Sequence, residues 1–191
     1  MLSGNSGPAI SRDGRLIAYV ASDASGVARL YLRPLDRFES TAVPPFVASP
    51  FSKVAGQLSP DGKAVAYASD ETGRDEIYLR SVAHPDEVAT VSADGGRSPK
   101  WSPDGKEIFY RRGDAFLAAT VASTGKLSVG ESRKLFDLRA ALGTSTQQAG
   151  YSVSPDSQRL LVQLPDPRAI PTRFNVVLNW FEELKAKAPA R

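Results

Sequence analysis

The chain has 191 residues, 24 Lys and Arg against 21 Asp and Glu, a formal net charge of +3, one His and no Cys. Disulfides, thiolate nucleophiles and cysteine-ligated zinc are therefore excluded. So slight a basic excess, with Arg111-Arg112 the only Arg-Arg pair, provides no charged stripe for nucleic acid, and no apolar stretch approaches the ~20 residues of a membrane span.

The first residues, Met1-Leu2-Ser3-Gly4-Asn5-Ser6-Gly7-Pro8, carry neither a basic nor an apolar leader segment. This predicts a soluble chain, cytoplasmic as encoded and without membrane insertion. A segment then recurs four times, as Ser11-Arg12-Asp13-Gly14, Ser59-Pro60-Asp61-Gly62, Ser102-Pro103-Asp104-Gly105 and Ser154-Pro155-Asp156-Ser157. The copies lie roughly 43 to 52 residues apart, the length of one supersecondary unit. Units are expected at about 7–50, 54–97, 98–138 and 147–185.

In the first unit Ile10 precedes the Ser, and Ile17, Ala18 and Tyr19 follow it by six, seven and eight residues. The second unit places Leu58, Val65, Ala66 and Tyr67 at the same offsets, the third Trp101, Ile108, Phe109 and Tyr110, and the fourth Val153, Leu160, Leu161 and Val162. Side chains alternate across a strand, so offsets six and eight share one face and offset seven the other. Apolar residues on both faces predict a sheet sandwiched between neighbouring sheets, with Tyr19, Tyr67, Tyr110 and Trp101 in the core. Second hairpins follow at Ser22-Asp23-Ala24-Ser25-Gly26, Ser69-Asp70-Glu71-Thr72-Gly73 and Arg112-Gly113-Asp114, and fourth strands are expected near 88–91 and 134–138. Loops are expected over 139–150 and 165–172. A strand is expected at Phe174-Asn175-Val176-Val177-Leu178-Asn179-Trp180, with Trp180 as its anchor or as an edge aromatic, and a short amphipathic turn over 181–187.

The repeated turn has a mechanism. Pro presets the first central position, Asp bonds the nearby backbone, and Gly supplies the positive φ of a three-residue hairpin with a bulge. Asp13, Gly14, Asp61, Gly62, Asp104, Gly105 and Asp156 are therefore read as structural turn residues. Ser157 replaces the glycine at a cost of roughly 1–2 kcal/mol if the left-handed geometry persists.

Candidate chemistry is sparse. A triad needs a base within hydrogen-bond reach of its nucleophile. Ser6 and the lone His84, in Ala83-His84-Pro85-Asp86, are an N-terminal and a turn residue, so no catalytic residue is assigned. No Gly-x-Ser-x-Gly elbow, phosphate loop or kinase catalytic motif is present. The turn aspartates recur because the turn recurs, and the cluster Asp70, Glu71, Arg74, Asp75 and Glu76 reads as a solvated, partly self-paired hairpin. Neither is assigned as a metal site, and no cofactor is expected. Binding is assigned to aperiodic loop aromatics and bases: Phe46, Phe51, Lys53, Arg97, Lys100, Arg111 and Arg112.

The phrase Ser-Pro-Asp-Gly-Lys followed by apolar-Ala-Tyr or apolar-Phe-Tyr resembles the WD-like repeat of the TolB family of propellers, over nearly the whole chain. Residues 56–80 and 97–110, with the ending Val176-Val177-Leu178-Asn179-Trp180-Phe181-Glu182-Glu183-Leu184, are also similar to the C-terminal propeller of many bacterial transmembrane serine/threonine kinases. The resemblance implies an all-β fold, a β-propeller of four-stranded antiparallel blades. About four blades are counted where such rings usually hold six or more, so a partial or small propeller is expected. Its open strand edges invite self-association.

Such a propeller implies a non-catalytic scaffold for a protein or peptide partner, as the sensory or docking part of a kinase-like signalling protein. Its location would then be extracytoplasmic. The alternatives are the accessory propeller of a serine peptidase of the prolyl-oligopeptidase type, or a periplasmic TolB-like translocation or binding protein. The ending at 180–184, with no hydrolase fold after it, argues for the first.

Overall fold

The computed structural model describes residues 8–36, 45–47, 49–122, 126–138 and 150–163. The expected loops over 139–150 and 165–172, save Gly150, and the expected strand and turn after them, lie outside these residues. So does Ser6.

Four antiparallel sheets follow one another along the chain. The first holds β1 (Ala9–Ile10), β2 (Leu16–Ser22) and β3 (Ala28–Pro34), and Phe46 N–H donates to the Leu30 carbonyl at 2.8 Å, so the chain returns beside β3. The second holds β4 (Lys53–Leu58), β5 (Ala64–Ser69), β6 (Glu76–Ser81) and β7 (Val88–Thr90) in sequence order. The third repeats that order with β8 (Arg97–Trp101), β9 (Glu107–Arg112), β10 (Ala115–Ala122) and β11 (Ser128–Asp137). The fourth pairs β12 (Tyr151–Val153) with β13 (Leu160–Val162). The first strands of successive sheets pack side by side, β1 on β4, β4 on β8 and β8 on β12. Four-stranded sheets joined along their innermost strands are the blades of a β-propeller.

Each repeated turn is held by the same bonds. Ser11, Ser59 and Ser102 each donate a hydroxyl to the aspartate two residues on, at 2.6 Å, and Ser154 does so to Asp156. The serine oxygens accept the backbone N–H groups of Leu16, Ala64, Glu107 and Arg159 at 2.9 to 3.0 Å. Those hydroxyls also hold the carboxyls of Asp13, Asp104 and Asp156 below the usual range. Gly14, Gly62 and Gly105 take φ of 70, 71 and 74°, and Ser157 keeps the left-handed region at 58°.

The core alternates by face. Leu58, Val65 and Tyr67 of the second sheet pack with Ala18 and Leu30 of the first, while Ala64, Ala66 and Ala68 pack with Ile108, Tyr110 and Trp101 of the third. Phe109 of the third sheet packs with Val153, Leu160 and Val162 of the fourth. Thus in the second, third and fourth sheets the residue before the Ser and those at offsets six and eight face the preceding sheet, and in the first three sheets offset seven faces the following one. Small alanines on one side receive large side chains from the other, as close packing requires.

Three features depart from expectation, and one is Trp101, expected in the core, which is half-buried against the cluster of the second and third sheets. Tyr19 is only half-buried, because its face looks away from the second sheet, although it stacks on Tyr31 at 5.2 Å as Tyr67 stacks on Tyr78 at 5.8 Å. The fourth strand of the third sheet begins at Ser128, earlier than the expected 134, because β10 also runs long and the two bulge together.

Candidate functional site

Strand direction sorts the connections onto two ends of the stacked sheets. One end carries the Ser-x-Asp turns and the β6–β7 link with exposed His84; the other carries the second hairpins and the links into β4 and β8.

At the turn end, successive turns stack. A Cβ on Gly62 would lie 3.7 Å from Ser11 Cβ, and one on Gly105 3.5 Å from Pro60 Cδ. A shallow depression of about 560 Å³ lies there, lined by Arg12, Pro60, Asp61, Pro103, Asp104 and Lys106 among others.

The hairpin end carries most of the candidate binding residues. Lys53 and Arg97 open β4 and β8, adjoining inner strands, and Arg111 pairs in register with Arg97. Bulges at Ala55 and Ser98, with φ of 54° each, occupy equivalent places in the two strands and set how their first residues point. Phe51 (42% exposed), Arg97 (side chain 73% exposed) and Arg112 reach solvent. The Arg97 guanidinium pairs with Asp75 at 2.6 Å, within the joint between the second and third sheets.

The other candidates face inward, and most are strand rather than loop residues. Lys53 is fully buried, its ammonium donating to Ser69 Oγ at 2.8 Å and Ser49 Oγ at 2.9 Å, with Glu71 Oε2 at 3.5 Å. Burial pulls its pKa down, and Glu71 opposes the shift. Arg111 is buried over the Phe116 ring, 5.2 Å from its centroid, and burial also lowers its pKa. Lys100 is half-buried in β8 with its pKa lowered by burial, and Phe46 packs on the core of the first two sheets.

The acidic hairpin cluster is not simply solvated. Glu76 is buried at the start of β6, where its carboxylate accepts from Ser92 Oγ, from Arg74 Nε at 2.7 Å and from Gly95 N–H at 2.8 Å. Burial pushes its carboxyl up, but these three donors outweigh burial and hold it below the usual range. Ser92 Oγ in turn accepts the Ile77 N–H at 2.8 Å, so the cluster fastens the outgoing link to β6. Among the described residues, no three His, Asp or Glu side chains come together to hold a metal. No helix among them is long and apolar enough to cross a membrane. Glu76 was the legible clue to this network, as an acid in an otherwise apolar strand, Glu76-Ile77-Tyr78-Leu79.

Comparison with known proteins agrees with the blade architecture. A family model described as the prolyl oligopeptidase N-terminal beta-propeller domain matches residues 51–129. No curated protein sequence matches the chain. Among solved structures, a TolB-like protein from Agrobacterium tumefaciens is 21% identical with a TM-score of 0.53, over 72% of this chain and 51% of that one. TolB from Acinetobacter baumannii is 23% identical with a TM-score of 0.58, over 84% of this chain and 37% of that one. The β-propeller domain of the Trilobed protease from Pyrococcus furiosus, described as having an open velcro topology, is 18% identical with a TM-score of 0.53, over 88% of this chain and 51% of that one. This chain therefore spans between 37% and 51% of the length of these structures, and what it shares with them is the propeller fold.

Proposed function

We propose that this chain is a non-catalytic propeller scaffold that binds a protein or peptide partner at its hairpin end, through Phe51, Arg97 and Arg112. The observation that carries this reading is the presence of an exposed aromatic and two exposed guanidiniums at one end of a rigid frame. Buried Lys53 and Arg111 lie beneath them. Aromatic and arginine side chains dominate binding energy at protein interfaces, and rigid scaffolds present recognition at their connections.

The test is direct. Random peptides displayed on phage are panned against the 191-residue chain, and the affinities of recovered peptides are measured by calorimetry. Phe51→Ala and Arg97→Glu each weaken binding by about tenfold, or about 1.4 kcal/mol. Unchanged affinity in both variants overturns this end as the contact, and no enrichment overturns the binding reading.

Two settings suit such a scaffold: the docking half of a kinase-like signalling protein, and the accessory propeller of a serine peptidase. The family-model match over residues 51–129 supports the second. In that setting the propeller would restrict access to a hydrolase carried on another segment. Reading the gene in frame on both sides tests it, with an adjoining hydrolase domain supporting the peptidase setting and an adjoining kinase domain the other.

A further inference from the structure

The alternation of faces leaves both ends of the stack uncovered in complementary ways. In the second, third and fourth sheets, the residue before the Ser and those at offsets six and eight are packed against the preceding sheet. Their counterparts in the first sheet are Ile10, Ile17 and Tyr19. Ile10 is 58% exposed where its equivalent Leu58 is buried, and Ile17 and Tyr19 are half-buried where Val65 and Tyr67 are fully covered. At the other end, offset seven is buried as Ala18, Ala66 and Phe109, each under the following sheet, but its fourth copy, Leu161, is 75% exposed. Among the described residues the fourth sheet therefore does not close on the first, since closure would bury Ile10 and Leu161 against each other's sheets.

One chain thus presents both halves of a joint that it already makes three times internally. A surface that is complementary to a different surface of the same molecule joins copies head to tail, and closes when the rotation allows. The first sheet's face is apolar, the fourth sheet's face offers Leu161 opposite exposed Ser152, and exposed apolar side chains grouped on a surface mark interaction sites. Propellers close with four to eight blades, and this chain spans 51% of the length of a solved protease propeller.

We propose that two copies of this chain join head to tail, the Leu161 face of each fourth sheet seated on the Ile10, Ile17 and Tyr19 face of the other copy's first sheet. The pair closes a ring of eight sheets. The joint uses sheet faces, not strand edges, and it does not depend on the partner-binding reading above.

Sedimentation velocity of the 191-residue chain tests this. The chain, of 20.5 kDa, sediments as two copies, and dilution from about 100 µM dissociates it by mass action. Ile10→Lys and Leu161→Lys, both at exposed positions that leave the internal joints intact, each weaken pairing by about tenfold or more. Ile10→Lys combined with Leu161→Glu in one chain pairs more tightly than either Ile10→Lys or Leu161→Lys alone, because both joints of the ring then set the lysine of one copy against the glutamate of the other. A monomer at about 100 µM overturns the proposal, and assigns the two faces to blades from another segment or chain. Masses that grow past two copies overturn the closed ring, and a charge-paired double variant no tighter than the single variants overturns the head-to-tail joint.

Discussion

The indole Nε1–H of Trp101 donates to the backbone carbonyl of Gln57 at 3.1 Å, across the seam between β8 and β4. Tyr151 repeats the device one sheet later, its hydroxyl lying 2.7 Å from the Ser98 carbonyl and 2.9 Å from that of Phe109. Both bonds join neighbouring sheets where side-chain packing alone sets no register. Trp101→Phe keeps an aromatic ring but removes the indole N–H and its second ring, so losing the bond to the Gln57 carbonyl and part of the packing is predicted to cost about 1–2 kcal/mol in urea unfolding. No loss would mean that the seam is held by packing alone.

The repeated turn makes a paired prediction. Gly105 has room for a Cβ but a φ of 74°, so Gly105→Val, like Gly62→Val, is destabilising through backbone strain by about 1–2 kcal/mol. Ser157 already bears that strain at 58°, so Ser157→Gly stabilises its hairpin by about 1 kcal/mol. Thermal unfolding of all three variants checks the pair of signs.

Lys53 separates charge from shape. Lys53→Ala leaves a cavity and a buried Ser69 hydroxyl short of a partner, and is predicted to cost about 2–4 kcal/mol. Lys53→Met fills the space and stays within about 1.5 kcal/mol of the wild type. Burial lowers the folded pKa below the ordinary 10.5, so the unfolded chain binds more protons in that window and stability rises with pH. The wild type therefore gains stability relative to Lys53→Met as pH climbs toward 10.5, measured as the difference between their unfolding curves.

Glu76 acts at the acid end. Its folded pKa lies below the ordinary 4.5, so its contribution is complete above that pH and is lost as pH falls through the folded value. Glu76→Gln weakens the three donated bonds at neutral pH, and its deficit against the wild type shrinks progressively below about pH 4.5. A deficit independent of pH would show that the carboxylate charge plays no part.

The scaffold reading predicts that the purified chain turns over no ester, peptide or phosphoacceptor substrate. Standard chromogenic, fluorogenic and radiolabelled phosphate-transfer assays check this. Activity abolished by Ser6→Ala would overturn it.

The repeat, its turns and its strands were legible because they rest on local chemistry. A serine, an aspartate and a glycine within four residues suffice to bend the chain, and alternation at offsets six to eight marks both faces of the strand. What the surrounding sheets do to a side chain was not legible. Lys53, Arg111 and Glu76 look like surface charges in one dimension, yet bulges at Ala55 and Ser98 and the adjoining sheets bury two cations and a carboxylate. Tyr19 and Tyr67 hold the same place in the repeat, and only the presence of a preceding sheet separates a half-exposed ring from a covered one. The amino-acid sequence by itself determined the blades, since hairpin geometry depends on residues a few bonds apart. The tertiary structure alone decided which faces are sealed and which charges are buried, because burial depends on atoms from distant parts of the chain.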